Sequence, residues 1–224
     1  MLEEDEFVFF GDENMLAWGQ AMAETFLNDK PFVHTGNHTV RVTVGSLPNL
    51  IHLLDEWHGF RLRLPDDKKV ALILGTSFLD LSEQESETIS DYDRAGGSWD
   101  MVDHLVACES LIRVVQDEFP DIALYWRLPI PIPFHRYPLR CHTSKEPRDA
   151  VCQDYLQYFS YYRMQEMYQA QKQLMEELKV PVFDVFDAYY VSADHYIVED
   201  RVFSAELHER VMLPFFQHHD RPSP

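Results

Sequence analysis

The chain has 224 residues, 46% of them apolar, and carries a formal net charge of −19 with a pI near 4.8. That length is enough for one well-buried core, and the composition excludes a disordered or fibrous protein. So acidic a chain is not built to bind nucleic acid or anionic membrane unspecifically, because their phosphates would be repelled. Cys108, Cys141 and Cys152 are an odd, widely spaced set without a CxxC pair, so neither a disulfide framework nor a structural zinc site is expected. No basic and then apolar leader opens the sequence, and no apolar run reaches the roughly 18 residues of a membrane span. The sequence reads as a soluble protein, cytoplasmic if complete and luminal or secreted if an upstream leader was removed. The Asn37-His38-Thr39 sequon is too common a triplet to decide between them.

In chain order, "EFVFFG" (6–11) reads as a buried strand followed by a helix from Asn14 to Leu27. "HTVRVTVG" (38–45) alternates as a strand with one solvated face, and 47–60 has helical spacing with Pro48 suited to a first turn. "KKVALILGTSFLDL" (68–81) is the strongest strand signal, continuously apolar from Val70 to Leu74, as in the middle of a parallel sheet. The acidic stretch 82–98 reads as a loop or lid, and 99–119 as an amphipathic helix ended by Pro120. A fourth strand, 122–133, is stopped by Pro129, Pro131 and Pro133. After an irregular segment (134–147), a long helix spans 149–178, with Tyr155, Phe159 and Tyr162 at core spacing. Residues 180–186 give the last strand and 204–216 the last helix. The expected architecture is a three-layer α/β/α sandwich with a mainly parallel five-stranded sheet in flavodoxin-like order. It occupies 1–217 as a single domain, and 218–224 is a tail in which His218-His219 read as frayed chain.

In such folds ligands gather where the strands end at their carboxyl edge. The residues placed there are Gly11, Asp12, Glu13 and Asn14; Gly45 and Ser46; Gly75, Thr76, Ser77 and Asp80; Arg127 through His135; and the stretch from Asp187 to Phe203, which holds His195 and Asp200. Arg127 puts a cation at a strand end, suited either to docking an anion or to a structural ion pair.

The blocks "FFGDEN" (9–14), "TVG" (43–45), "LILGTSFLDL" (72–81) and "EDRVFSAELH" (199–208) together resemble the SGNH, or GDSL-type, hydrolase superfamily. "LDLS" (79–82) and "WRLPIPIPFH" (126–135) resemble its PC-esterase-like branch. The family carries Gly-Asp-Ser after the first strand, Gly after the second, Gly-x-Asn after the third and Asp-x-x-His before the last helix. The resemblance implies that Glu13 stands where the nucleophilic serine would be, Ser77 where the oxyanion-hole asparagine would be, and Phe203 where the histidine base would be. Asp12, Gly45, Gly75 and Asp200 keep the family's residue types. An acyl transfer of this kind needs a hydroxyl activated by an imidazole that a carboxylate orients. Neither Glu13 nor Phe203 can play its part.

Two rescues are chemically conceivable. A displaced site could pair Ser77 or Thr76 with His195. A carboxylate site could use Asp12, Glu13, Asp80 and Asp200 with His135 or His195 nearby. No compact metal-binding motif supports the second, and Asp12 and Asp200 read more simply as N-caps of the first and last helices. No metal and no cofactor are expected. The resulting reading is a pseudoenzyme that binds a protein partner or a small glycan- or lipid-like ligand. The alternatives are an ester hydrolase or acyltransferase with a rearranged site, and a structural subunit of a larger complex, which the Tyr- and Met-rich helix 149–178 would suit.

Overall fold

A computed structural model describes residues 6–11, 13–27, 39–41, 57, 69–76, 101–133, 161–197 and 202–217. Five strands, β1 (Glu6–Gly11), β2 (Thr39–Arg41), β3 (Val70–Gly75), β4 (Ala123–Arg127) and β5 (Val182–Phe183), form one sheet in the order β2-β1-β3-β4-β5. All four pairings are parallel. This is the expected flavodoxin-like order, with the crossover from one half of the sheet to the other between β1 and β3. A two-stranded antiparallel hairpin, β6 (Tyr196–Ile197) with β7 (Val202–Phe203), stands apart from the sheet.

Helices α1 (Glu13–Leu27) and α5 (Ala205–Gln217) pack together, as do α2 (Met101–Glu118) and α3 (Tyr161–Glu177). Adjacent residues of β4 show that the two pairs lie on opposite faces of the sheet. Trp126 donates its Nε1–H to Gln171 of α3 at 2.9 Å, whereas Arg127 reaches Met15 of α1 at 2.9 Å. Successive strand side chains point to opposite faces, so the sheet is covered on both. That explains why β3 is buried at every position and why Phe7 to Phe10 are all apolar and buried. Two-sided burial also favours unbroken runs of large side chains, of which Trp18, Trp57 and Trp126 are among the most enclosed.

Several expectations need correction. The fourth strand ends at Arg127, and residues 128–133 are buried without belonging to it, since each proline lacks the N–H a ladder needs. The fifth strand is only Val182–Phe183, and Phe186 already opens a short helix, α4 (Phe186–Tyr190). What reads as a loop from Asp187 to Phe203 therefore begins with that helix, continues through a 3₁₀ turn (Ala193–His195) and enters the hairpin. Tyr162 is not a core residue: it is 78% exposed, and the buried stripe of α3 is Met164, Met167, Tyr168, Gln171 and Met175. The cap of the last helix is Ser204, not Asp200. The Leu207 N–H lies 3.0 Å from the Ser204 carbonyl and 3.4 Å from its Oγ. Of the expected helix 47–60 only Trp57 is described, helical and buried. Tyr155, Phe159 and the stretches 82–98 and 134–147 lie outside the described residues.

Gly11, Gly75 and Arg127 stand in register at the carboxyl ends of the three central strands. A Cβ at Gly11 would fall 2.0 Å from the Gly75 carbonyl oxygen, a backbone atom that cannot swing aside. Gly11→Ala is expected to lose about 2–3 kcal/mol through this overpacking, read as a lower urea midpoint.

Candidate functional site

The parallel register brings the ends of β1, β3 and β4 to one rim, where Gly11, Gly75 and Arg127 align. Glu13 is the first residue of α1, two positions after Gly11, and Asn14 beside it is half-buried. Thr76 continues from β3 and is buried. The Glu13 side chain, Asp12, Gly45, Ser77, Asp80, His135 and Asp200 lie outside the described residues.

Phe203 ends β7 and is 3% exposed. Its ring is held between Tyr189, centroid to centroid 4.8 Å, and Tyr196, 5.0 Å. The position the family resemblance gives to the base is thus filled by an aromatic cluster. His195, the other candidate base, is half-buried, and its Nδ1 lies 3.2 Å from Ser204 Oγ across the hairpin. An imidazole does meet a hydroxyl here, but the hydroxyl is that of the helix cap, which also accepts from the Leu207 N–H.

Beneath the rim lies a polar layer of which the sequence marks only Arg127, and there for docking an anion or for an ion pair rather than for burial. Arg127 has no exposed surface. Its Nη2 is 3.4 Å from the Thr76 carbonyl, and its guanidinium carbon stands 5.9 Å from the centre of the Trp18 ring. Next to it, His208 in the first turns of α5 is also fully buried. Tyr189 Oη lies 2.8 Å from Trp18 Nε1 and 2.5 Å from His208 Nδ1. Indole N–H is only a donor, so the phenol oxygen accepts from Trp18, and the phenol's own proton is assigned to the imidazole. His208 Nδ1 is therefore the acceptor, and the neutral ring carries its proton on Nε2. Burial, reinforced by the nearby Arg127 charge, pushes His208 down to about 4, although the Phe203 backbone opposes the shift.

A second buried network serves the opposite face. Gln171 Oε1 accepts from Trp126, and its Nε2 donates to Thr76 Oγ1 at 3.1 Å and to His104 Nε2 at 2.7 Å. Both amide protons and the amide oxygen are used, which fixes the amide's orientation and makes His104 Nε2 an acceptor. The Cys108 thiol lies 3.5 Å from the same nitrogen. Three elements, α3, β4 and α2, are thereby tied to Thr76 at the end of β3. At the end of β5, Asp184 receives the Tyr168 hydroxyl at 3.0 Å and Lys172 at 2.6 Å. Burial and the Asp184 hydrogen bond raise Tyr168, and the bond to Asp184 raises Lys172. Among the described residues, no three His, Cys, Asp or Glu side chains converge as a metal site would require, and no helix is long and apolar enough to cross a membrane.

The missed residues had one signal in common. Gln171, His104 and His208 are polar residues inside apolar helical stripes, such as Leu207, His208, Val211 and Met212 of α5. A polar side chain at such a position must be hydrogen-bonded or costly.

No protein-family model and no curated protein matches the chain. Solved structures do. It is similar to a lipase/acylhydrolase from Enterococcus faecalis, with 13% identity, 98% of each chain covered and a TM-score of 0.63. It is similar also to a lipolytic protein of the G-D-S-L family from Veillonella parvula, with 11% identity, 94% of this chain and 97% of that one covered, and a TM-score of 0.55. A third match is Axe2, an acetylxylan esterase from Geobacillus stearothermophilus, with 14% identity, 95% and 94% coverage and a TM-score of 0.57. The chain has an SGNH/GDSL-hydrolase-like fold.

Gln171→Leu would strip partners from Trp126, Thr76 and His104 together. A loss of about 2–4 kcal/mol is expected, since each buried polar group left unmet costs about 1–3 kcal/mol. Chemical denaturation would measure it.

Proposed function

We propose that this SGNH-hydrolase-like fold serves as a binding or assembly module in which the ordinary Ser-His-Asp chemistry has been lost. The observation that carries the reading is Phe203, closed between Tyr189 and Tyr196 and 3% exposed. Phenylalanine cannot accept a proton, and its packing leaves the neighbouring imidazoles engaged elsewhere, His195 with Ser204 and His208 with Tyr189. Glu13 at the serine position adds a second deficit, because a carboxylate there cannot form the same acyl-enzyme. In a working triad, removing the nucleophile or the base costs on the order of 10⁶ in kcat, so either change alone would silence the ordinary reaction. The retained carboxyl-edge rim is where this fold class takes its ligands. Candidate ligands are a protein partner or a small glycan- or lipid-like molecule, the latter class in keeping with the lipases and acetylxylan esterases of similar fold.

One observation favours a second reading, an ester hydrolase or acyltransferase with a rearranged site on esterified glycans or lipids. His195 Nδ1 lies 3.2 Å from the Ser204 hydroxyl, so the chain still holds an imidazole that can polarise an O–H group.

The wild-type protein is expected to show no saturable turnover of p-nitrophenyl acetate or of acetylated xylo-oligosaccharide. The oligosaccharide, if it is a ligand, will raise the Tm in a saturable way. A Glu13→Ser, Phe203→His double variant should stay folded and gain slight esterase activity. Clear wild-type turnover that disappears in Ser77→Ala or His195→Ala would overturn the inactive reading in favour of the rearranged site.

A further inference from the structure

We propose that His208 is an acid-sensitive latch for the C-terminal helix: in its neutral form it closes a hydrogen-bonded chain from α1 through α4 to α5, and protonation breaks that chain and frees α5. The geometry dictates this from the proton inventory. Trp18 in α1 donates to Tyr189 in α4, and Tyr189 donates to His208 in α5, each bond being between side chains. Every link is fully used in one direction. A proton added at Nδ1 would face the phenol's proton across 2.5 Å, so the phenol must rotate its own proton off that line and the neutral donor–acceptor chain to α5 is broken.

Of the ring's described surroundings the Phe203 backbone favours the charged form, but burial and Arg127 outweigh it. From β4 the ring faces Arg127, a like charge once the imidazole is protonated. From α4 it faces the Tyr189 phenol, and from α1 the nearby buried residues are Met15 and Trp18, which carry no charge. In the turn before the hairpin, His195 is engaged with Ser204, and on α5 itself Arg210 is directed to Ser192 at the surface. Among the described residues no carboxylate hydrogen-bonds the ring, and Nε2 is enclosed without a hydrogen-bond partner of good geometry. Among the described residues a buried imidazolium would therefore find no counterion and would sit beside a guanidinium, an arrangement proteins avoid by letting water in. The cheapest opening is at α5, the last described element of the chain, whose contacts are chiefly with α1. Its departure would bare Trp18 and Phe183, the latter packed against Phe215 of α5 at 5.1 Å.

The direction follows from linkage. The folded ring titrates near 4 against 6.5 for an ordinary histidine, so the closed state is fully favoured above about pH 6.5. It loses roughly tenfold per pH unit as pH falls towards 4 and no more from this group below that.

Hydrogen exchange of the full chain between pH 7 and pH 4.5, corrected for intrinsic rates, tests the latch. Protection of 205–217 is expected to fall by roughly 100-fold while that of 101–118 falls much less. His208→Gln should hold the protection of 205–217 nearly flat over the same range. If that variant folds poorly, Tyr189→Phe gives an independent reading: without the donor that favours the neutral ring, the opening of α5 and the imidazole NMR titration should both move to higher pH. Equal loss in both helices, an unchanged α5 profile in His208→Gln, or an unmoved transition in Tyr189→Phe would overturn the proposal.

Discussion

A guanidinium with no access to water sits at the carboxyl edge of the sheet, and much of the surrounding structure is arranged to hold it. Arg127 lies in register with Gly75 and Gly11. A Cβ on Gly75 would come 2.9 Å from Arg127 Nε, so the cation occupies the space a side chain would need. The same cation draws Met15 and Trp18 of α1 onto β4 and adds to the burial that keeps a neighbouring histidine neutral. A buried charge is costly unless its contacts are dense. Here the density comes from backbone brought close by two glycines and from the face of an indole ring.

The rim above this layer separates two aspects of a catalytic fold that are easily treated as one. The frame of the fold is present: a parallel sheet, β1 leading into α1, and a strand end at Gly75 whose next residue, Thr76, is pinned through Gln171. The groups that would move protons are a different matter. Phe203 belongs to an aromatic cluster with Tyr189 and Tyr196, so exchanging it for histidine would insert a polar ring among packed aromatic faces. The hairpin that carries it has been built around apolar contact, and this physical coupling makes the substitution more than a change of one letter.

The two buried networks also divide the labour of orienting the helices. On one face Gln171 uses its whole amide to join α3, β4, α2 and the end of β3. On the other, Tyr189 joins α1 to α5 through a single relayed proton. The first leaves no donor or acceptor of the Gln171 amide unused. The second works only while its imidazole is uncharged.

The strand and helix identities were legible in the sequence because each follows from local periodicity: continuous apolar runs for strands covered on both faces, helical spacing for α1, α2 and α5, and Pro120 as a stop. The order of the strands and the family resemblance followed from the blocks that recur at strand ends. Sequence could not show that Tyr162 faces solvent, since a helical stripe of Tyr and Met is compatible with more than one buried face until its neighbours are placed. Nor could it show that Ser204 rather than Asp200 caps α5, because cap choice depends on where the hairpin delivers the chain. His208, Tyr189 and Trp18 are separated by up to 190 residues of sequence, so no spacing rule joins them. Only the folded arrangement of α1, α4 and α5 brings their donors and acceptors within hydrogen-bond distance. Local chemistry wrote the elements; the long-range packing alone decided which polar groups would meet.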